Sequence, residues 1–353
     1  MKKILIVQNK ILHYRKPLYN ELSKYYDVTI LHSGDKSIKI NDNYKEIITS
    51  VKKVGSFFWQ SGVLKAVQSN DYDIIIVMFD LHWVCNIIAV FLRSNSRFLY
   101  WGHRYNKNRL RNKIRNLLIQ ISDGVILYND IEISKMISHR ISKSKIFVAP
   151  NTIYVPNFSD GSSAHKNSFL YVGRLQKRKR IDLLIRAFSE ILNRIPKNTK
   201  INIVGSGQEN NNLKNIAKHL GISNRVVFYG KITESKKLKP LFCSAYAYVS
   251  PGPIGLGALH SFAYGIPVVT NCSDRHGPEF DNISDHGNAL LYKTYDEFKE
   301  ILVSLCDNKN LSTRLGKNAY KLYSQHRTIE KMVRGYREAI EGIKKTKSYK
   351  IIN

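Results

Sequence analysis

Short runs of apolar residues recur along the chain, most of them four to six residues long and apolar at every position. In the first half they occupy 4–7, 28–31, 74–78, 98–101, 124–127 and 146–149. In the second half they occupy 169–172, 201–204, 226–229, 245–249, 267–270 and 289–291. Runs without apolar/polar alternation fit strands buried on both faces, as in parallel sheets covered by helices. Between them, apolar residues return every three or four positions at 17–25, 108–121, 130–141, 182–195, 208–220, 256–264 and 295–305, the spacing of amphipathic helices. Strand–helix–strand alternation on this scale predicts an α/β, doubly wound chain.

The pattern lapses at 157–167, NFSDGSSAHKN, whose Ser, Gly, Asp and Asn read as a linker. It divides the chain into domains 1–157 and 158–328, each with about six strands, so two Rossmann-like domains facing a cleft are expected. A last helical stretch, 329–343, leads into a basic tail ending at 353 and is expected to pack back on the first domain. Ligands of such sheets sit beyond the carboxyl ends of the strands.

Composition changes the picture in one respect. Against 27 Asp+Glu stand 56 Lys+Arg, a formal charge of +29, so the surface seeks anions. The cysteines, Cys85, Cys243, Cys272 and Cys306, form no CxxC pair and indicate neither a zinc site nor a disulfide framework. The apolar stretch 4–7 is shorter than the ~7–15 residues of a signal-peptide core. The run 81–92, interrupted by His82 and Asn86, falls short of the ~20 residues of a membrane span. A cytoplasmic chain is expected.

Three loops at predicted strand ends suit phosphate. Gly173 follows the strand at 169–172 and leads into Arg174 and a basic run containing Lys179; a guanidinium and an ammonium there suit a diphosphate, unless the run is only a solvated loop. Gly205 and Gly207 follow 201–204, but Asn210 occupies the third glycine position of a dinucleotide fingerprint and no acidic residue stands at the ribose offset. The third loop, Ser250-Pro251-Gly252-Pro253-Ile254-Gly255-Leu256-Gly257, opens into a short helix carrying His260 and capped at Gly265. Backbone N–H groups near Gly255, Leu256 and Gly257 make a candidate anion site, unless the glycines serve the turn alone.

The succession GRLQKRK, IVGSG, VVFYGKI, a Ser-Pro loop, ALHSFAYGIPVV and HGPEFDNISDHGNALLY resembles the carboxyl-terminal domain of retaining glycosyltransferases of family 4. More loosely, the resemblance covers the first half, to Pro150-Asn151-Thr152. It implies the GT-B fold and a nucleotide-sugar donor. Two glutamates eight positions apart are usual in the family; counted back from Gly265, their positions hold Gly252 and His260. The departure leaves either a subgroup in which His260 takes the ribose contact or an inactive homologue acting as a partner subunit; Glu279 nearby suits the sugar hydroxyls, and equally an acid placed at a helix N-terminus. Arg174 and Lys179 are expected to stabilise charge on the departing diphosphate, without a metal and with no cofactor beyond the donor substrate. The backbone around Lys231 is the candidate contact for the base, UDP- and GDP-sugars both remaining open.

The first domain is expected to serve the acceptor. His103, past the strand at 98–101, is a candidate for the transferred sugar or acceptor, by resemblance a catalytic contact. Arg15, in the loop after the first strand, is expected to close over phosphates. Asp80 and His82 follow 74–78 and are acceptor candidates, though Asp80 equally suits a helix N-cap.

Basic clusters at Lys52-Lys53 and at 109–115 lie beside or among apolar residues, including Phe57-Phe58-Trp59. These suit an anionic membrane surface and a polyprenyl-diphosphate-linked glycan acceptor, placing the chain on the inner face of the cytoplasmic membrane in bacterial surface-polysaccharide assembly. A buried aromatic cluster beside a solvated charge run is the other reading. No nucleic-acid-binding module is recognisable, so no specific nucleic acid is expected.

Overall fold

The computed structural model describes residues 1–37, 40, 42–103, 105–273 and 276–342, with His103 described by its backbone only. The basic tail lies outside the described residues. Two compact units divide the chain: Met1–Tyr154 with Ile329–Asn353, and Val155–Thr328.

In the first unit the elements run β1 (Lys3–Val7), α1 (Lys16–Leu22), β2 (Asp27–His32), β3 (Lys45–Ile48), β4 (Val51–Val54), β5 (Phe57–Gln60) and α2 (Val63–Gln68). They continue as β6 (Ile74–Met78), α3 (Val84–Leu92), β7 (Arg97–His103), α4 (Arg109–Ile121), β8 (Gly124–Leu127), α5 (Ile133–Ser138) and β9 (Ile146–Val148). Seven strands form a parallel sheet in the order β3-β2-β1-β6-β7-β8-β9, and β4 and β5 form a separate antiparallel hairpin. The all-apolar runs explain the layering. Ile4 and Ile6 of β1 enter the core under α1, while Leu5 and Val7 enter the core on the opposite face.

The second unit contains β10 (Ser168–Val172), α6 (Ile181–Glu190), β11 (Lys200–Val204), α7 (Asn210–His219), β12 (Val226–Gly230), α8 (Ser235–Cys243) and β13 (Ala245–Ser250). It is completed by α9 (Gly257–Ala263), β14 (Val268–Asn271), β15 (Ala289–Tyr292), α10 (Tyr295–Asp307) and α11 (Lys309–His326). Its parallel sheet has the order β12-β11-β10-β13-β14-β15. In both units the first strand is central, and the chain walks to one edge before returning to build the other. The order therefore reverses between β1 and β6 and between β10 and β13, the places where such sheets open a ligand crevice.

One detail differs from the sequence reading. The stretch 157–167 lies inside the second unit, whose boundary falls after Tyr154. The Gly161 N–H donates to the Tyr264 carbonyl (3.0 Å), Lys166 Nζ donates to the Gly161 and Cys243 carbonyls (2.8 and 2.9 Å), and Phe158 packs edge-on against Tyr323. Small polar residues here fit tightly against helices instead of linking domains. The last helix, α12 (Ile329–Gly342), packs against α1, β8 and β9 of the first unit.

Candidate functional site

At the switch point of the second unit, three loops are bound into one platform. The Gly173 N–H donates to the Val204 carbonyl (2.9 Å), and the Leu175 N–H to the Ser206 carbonyl (3.0 Å). Gly205 has φ +148°, and a Cβ there would run into the Gly173 carbonyl; one at Gly207 would run into the Leu175 carbonyl. These glycines thus permit the loops after β10 and β11 to touch backbone to backbone. Gly205 also donates to the Gly230 carbonyl (2.8 Å), which brings exposed Lys231 to the same rim.

The loop after β13 joins from the other side. The Gly252 N–H donates to the Lys179 carbonyl (3.0 Å), and Lys179 Nζ donates to the Pro253 carbonyl. Three tyrosines brace the loops from below. Tyr171 Oη donates to the Arg174 carbonyl (3.0 Å), Tyr248 Oη to the Val172 carbonyl (3.2 Å) and Tyr292 Oη to the Pro251 carbonyl (3.2 Å).

This packing gives a physical reason for the residue at 252. Any side chain there would start inside the Arg178–Lys179 backbone, so no carboxylate fits. The carboxylate that acts on Lys179 is that of Glu279, in the first turn of a 3-10 helix at Pro278–Asn282. Burial pushes the Lys179 ammonium down to about 8, neighbouring Arg178 pushes the same way, and Glu279 opposes both. Arg174 is exposed, and its guanidinium has no hydrogen bond or ion pair to the described residues. Gly257, the first residue of α9, clears the Tyr248 hydroxyl, whereas a Cβ on Gly255 would meet nothing within 4 Å. Leu256, at the N-cap of α9, is half-buried.

His260 is 8% exposed, with its ring 4.6 Å from that of Phe242. Burial holds its pKa down to about 4, and its Nε2 has no hydrogen-bond partner. It is a neutral imidazole with one nitrogen unsatisfied. Sequence reasoning missed His276. Its Nδ1 accepts from the Ile254 N–H (3.0 Å), its Nε2 donates to the Asn271 carbonyl (2.5 Å), and its ring stacks on Phe280 at 4.1 Å. It fastens the Pro/Gly loop to the end of β14. The only sequence signal was a histidine directly before Gly277-Pro278-Glu279.

In the first unit, Asp80 Oδ1 accepts from the His82 N–H (2.9 Å) and from His82 Nδ1 (2.8 Å) beyond the carboxyl end of β6. Asp80 does not cap α3, whose N-cap is Trp83. His103 ends β7. Arg15 corrects the expectation of a side chain closing over phosphates. Its guanidinium turns inward, 6% exposed, with the Trp101 ring centroid at 5.0 Å, those of Tyr14 and Tyr128 at 5.7 Å and Met332 Sδ at 3.8 Å. An aromatic cage at the ends of β7 and β8 holds it through cation–π attraction.

Comparison with known proteins follows the same division. Residues 157–322 match the family profile described as Glycosyl transferases group 1. An uncharacterized glycosyltransferase of Haemophilus influenzae is 25% identical over 89% of this chain and 91% of its own length. A Campylobacter jejuni α-1,4-N-acetyl-D-galactosaminyltransferase, named for a PP-undecaprenol-linked saccharide, is 25% identical over 86% of this chain and 87% of its own. The chain spans only 29%, 45% and 42% of the length of three further glycosyltransferases it matches. Among solved structures, Anabaena HepE in complex with UDP superposes with a TM-score of 0.74 at 18% identity, covering 97% of this chain and all of that one. The second unit therefore carries a glycosyl transferases group 1 domain, in a chain whose two α/β units have the GT-B fold of its structural neighbours.

Proposed function

We propose that this chain is a retaining glycosyltransferase that moves a sugar from a nucleoside-diphosphate sugar to a glycan or lipid-linked glycan acceptor in bacterial surface-polysaccharide assembly. One observation carries the reading: Arg174, its guanidinium exposed and unpaired among the described residues, and Lys179, partly desolvated, both follow β10, and Lys179 Nζ donates to the Pro253 carbonyl of the loop after β13, so both cations belong to the loops at the order reversal. As the bond from the anomeric carbon to the diphosphate breaks, its electron pair moves to the β-phosphate oxygen. Two cations there neutralise that charge in the role a metal ion would otherwise take. Removing one such electrostatic donor costs roughly 3–4 kcal/mol of activation free energy.

Open space above Gly255 supports close approach of a ligand to this backbone, and the unsatisfied His260 Nε2 supports a hydroxyl partner such as the ribose. UDP in HepE and the PP-undecaprenol acceptor in the Campylobacter relative's name support the donor and acceptor classes. Asp80 and His82 are the acceptor-side residues of this reading.

The test is thermal stabilisation by a panel of nucleoside diphosphates and nucleotide sugars, on the wild type, Arg174→Ala and Gly255→Leu. A ligand at a hundredfold excess over its dissociation constant stabilises by ~2.7 kcal/mol. A shift with one base, lost in both variants, is expected. No shift with any nucleotide from a folded sample sinks the reading in favour of an inactive homologue.

A further inference from the structure

We propose that the first unit docks on an anionic lipid bilayer through the outer face of the β4–β5 hairpin together with the exposed stripe of α4. This deepens the acceptor reading above and rests on it for its purpose, but not for its test.

In the hairpin, Lys52 pairs with Trp59 and Val54 with Phe57, so these four side chains share one face. The opposite face is the packed one: Phe58 stacks on Trp83 at 5.1 Å, and Gln60 is buried. The first face is left bare, with Val54 74% and Phe57 51% exposed and Trp59 also exposed. On α4, Leu110, Ile114 and Leu117 recur at helical spacing along one side, and Leu110 and Leu117 are 67% and 56% exposed. Arg109, Arg111 and Lys113 are exposed on the same helix, which contains no acidic residue.

The two patches are linked by contacts. The Phe57 ring lies 6.3 Å from that of His82, His82 is bonded to Asp80, and Asp80 acts electrostatically on Arg115 of α4. The acceptor candidates therefore lie between the two apolar elements.

Exposed apolar side chains gathered in this way require a partner. Protein interfaces are depleted in lysine at their centres. Here Lys52 shares its hairpin face with Phe57 and Trp59, and Arg109, Arg111 and Lys113 share α4 with the exposed leucines. Cations among aromatic and aliphatic groups complement a headgroup layer of negative charge over acyl chains.

Full-length protein would be sedimented with phosphatidylglycerol/phosphatidylcholine vesicles and with phosphatidylcholine vesicles alone. Binding to the anionic vesicles only is expected, with a blue shift from Trp59, since Trp83 and Trp101 are buried. The exposed-site variants Leu110→Ser/Leu117→Ser and Phe57→Ser/Trp59→Ser should each weaken partitioning at least about tenfold, with unchanged thermal melts. Failure to bind the anionic vesicles, or binding unaffected by both variants, overturns the proposal. So does self-association, or binding to nucleic acid, that the same substitutions abolish in place of vesicle binding. A failed nucleotide shift beside intact vesicle binding would count against the transferase reading alone.

Discussion

Lys179 shows how one side chain links packing to chemistry. Its amine is held by the Pro253 carbonyl, and its pKa is lowered to about 8 from 10.5, mainly by burial. A bound diphosphate would supply the missing counter-charge and raise that pKa, so binding takes up a proton whenever the free protein holds the amine neutral. The sign follows. Below about pH 8 the amine is already charged and affinity is flat; above it, each binding event must protonate the lysine. Affinity for the nucleoside diphosphate should fall by up to about tenfold per pH unit there. Titration calorimetry at several pH values would check this. Lys179→Met should bind more weakly at pH 7 and lose the alkaline decline. An unchanged decline in that variant would assign the proton elsewhere.

Elements differed in how plainly the sequence announced them. Central strand β6 is apolar at every position and β1 at every position after Lys3 because both faces are buried, and this made them legible. Edge strand β3, Lys-Glu-Ile-Ile, turns its Glu46 carboxylate onto buried His32, and β4, Val-Lys-Lys-Val, carries exposed lysines, so neither left such a mark. Helix α8 hid behind Lys236, Lys237 and an internal Pro240, although Leu238 and Phe242 anchor it. The loops of the second unit's platform were legible as glycines after strands. What those glycines touch was not, because Gly205 against Gly173 and Gly252 against Lys179 are contacts between loops distant in sequence. The same kind of contact sets a prediction on α12. A Cβ on Gly335 would collide with the Val148 carbonyl and crowd Ala149, so Gly335→Ala must push the helix off β9. A loss of about 1–3 kcal/mol in urea unfolding is expected, as for other overpacked sites. Arg334→Ala, at an exposed position on the same helix, should stay within about 0.5 kcal/mol. Equal effects of the two substitutions would contradict this account of the α12–β9 contact.

At the scale of the molecule, the chain leaves the first unit at Tyr154, completes the second, and returns at Ile329 to finish the first. Helix α12 supplies Ile329, Met332, Val333, Tyr336, Ala339 and Ile340 to the core that contains Ile4, Ile6, Leu18 and Tyr19. Burying each large apolar side chain is worth ~1.5–3 kcal/mol, so their sum rivals the ~5–15 kcal/mol that holds a typical domain together. The core of the second unit, from Phe169 to Leu315, draws nothing from α12. A chain ending at Thr328 should therefore lose the first unit while keeping the second. Calorimetry is expected to show the first unit's transition gone, and the remaining one still raised by the nucleotide that stabilises the intact chain. Met332→Ser/Tyr336→Ser in the full-length protein should weaken the same transition without removing a residue of backbone. If truncation abolished both transitions, the second unit would owe its stability to the first. If both survived, the core built around α12 would be dispensable, and the return of the chain to its first unit would need a reason other than folding.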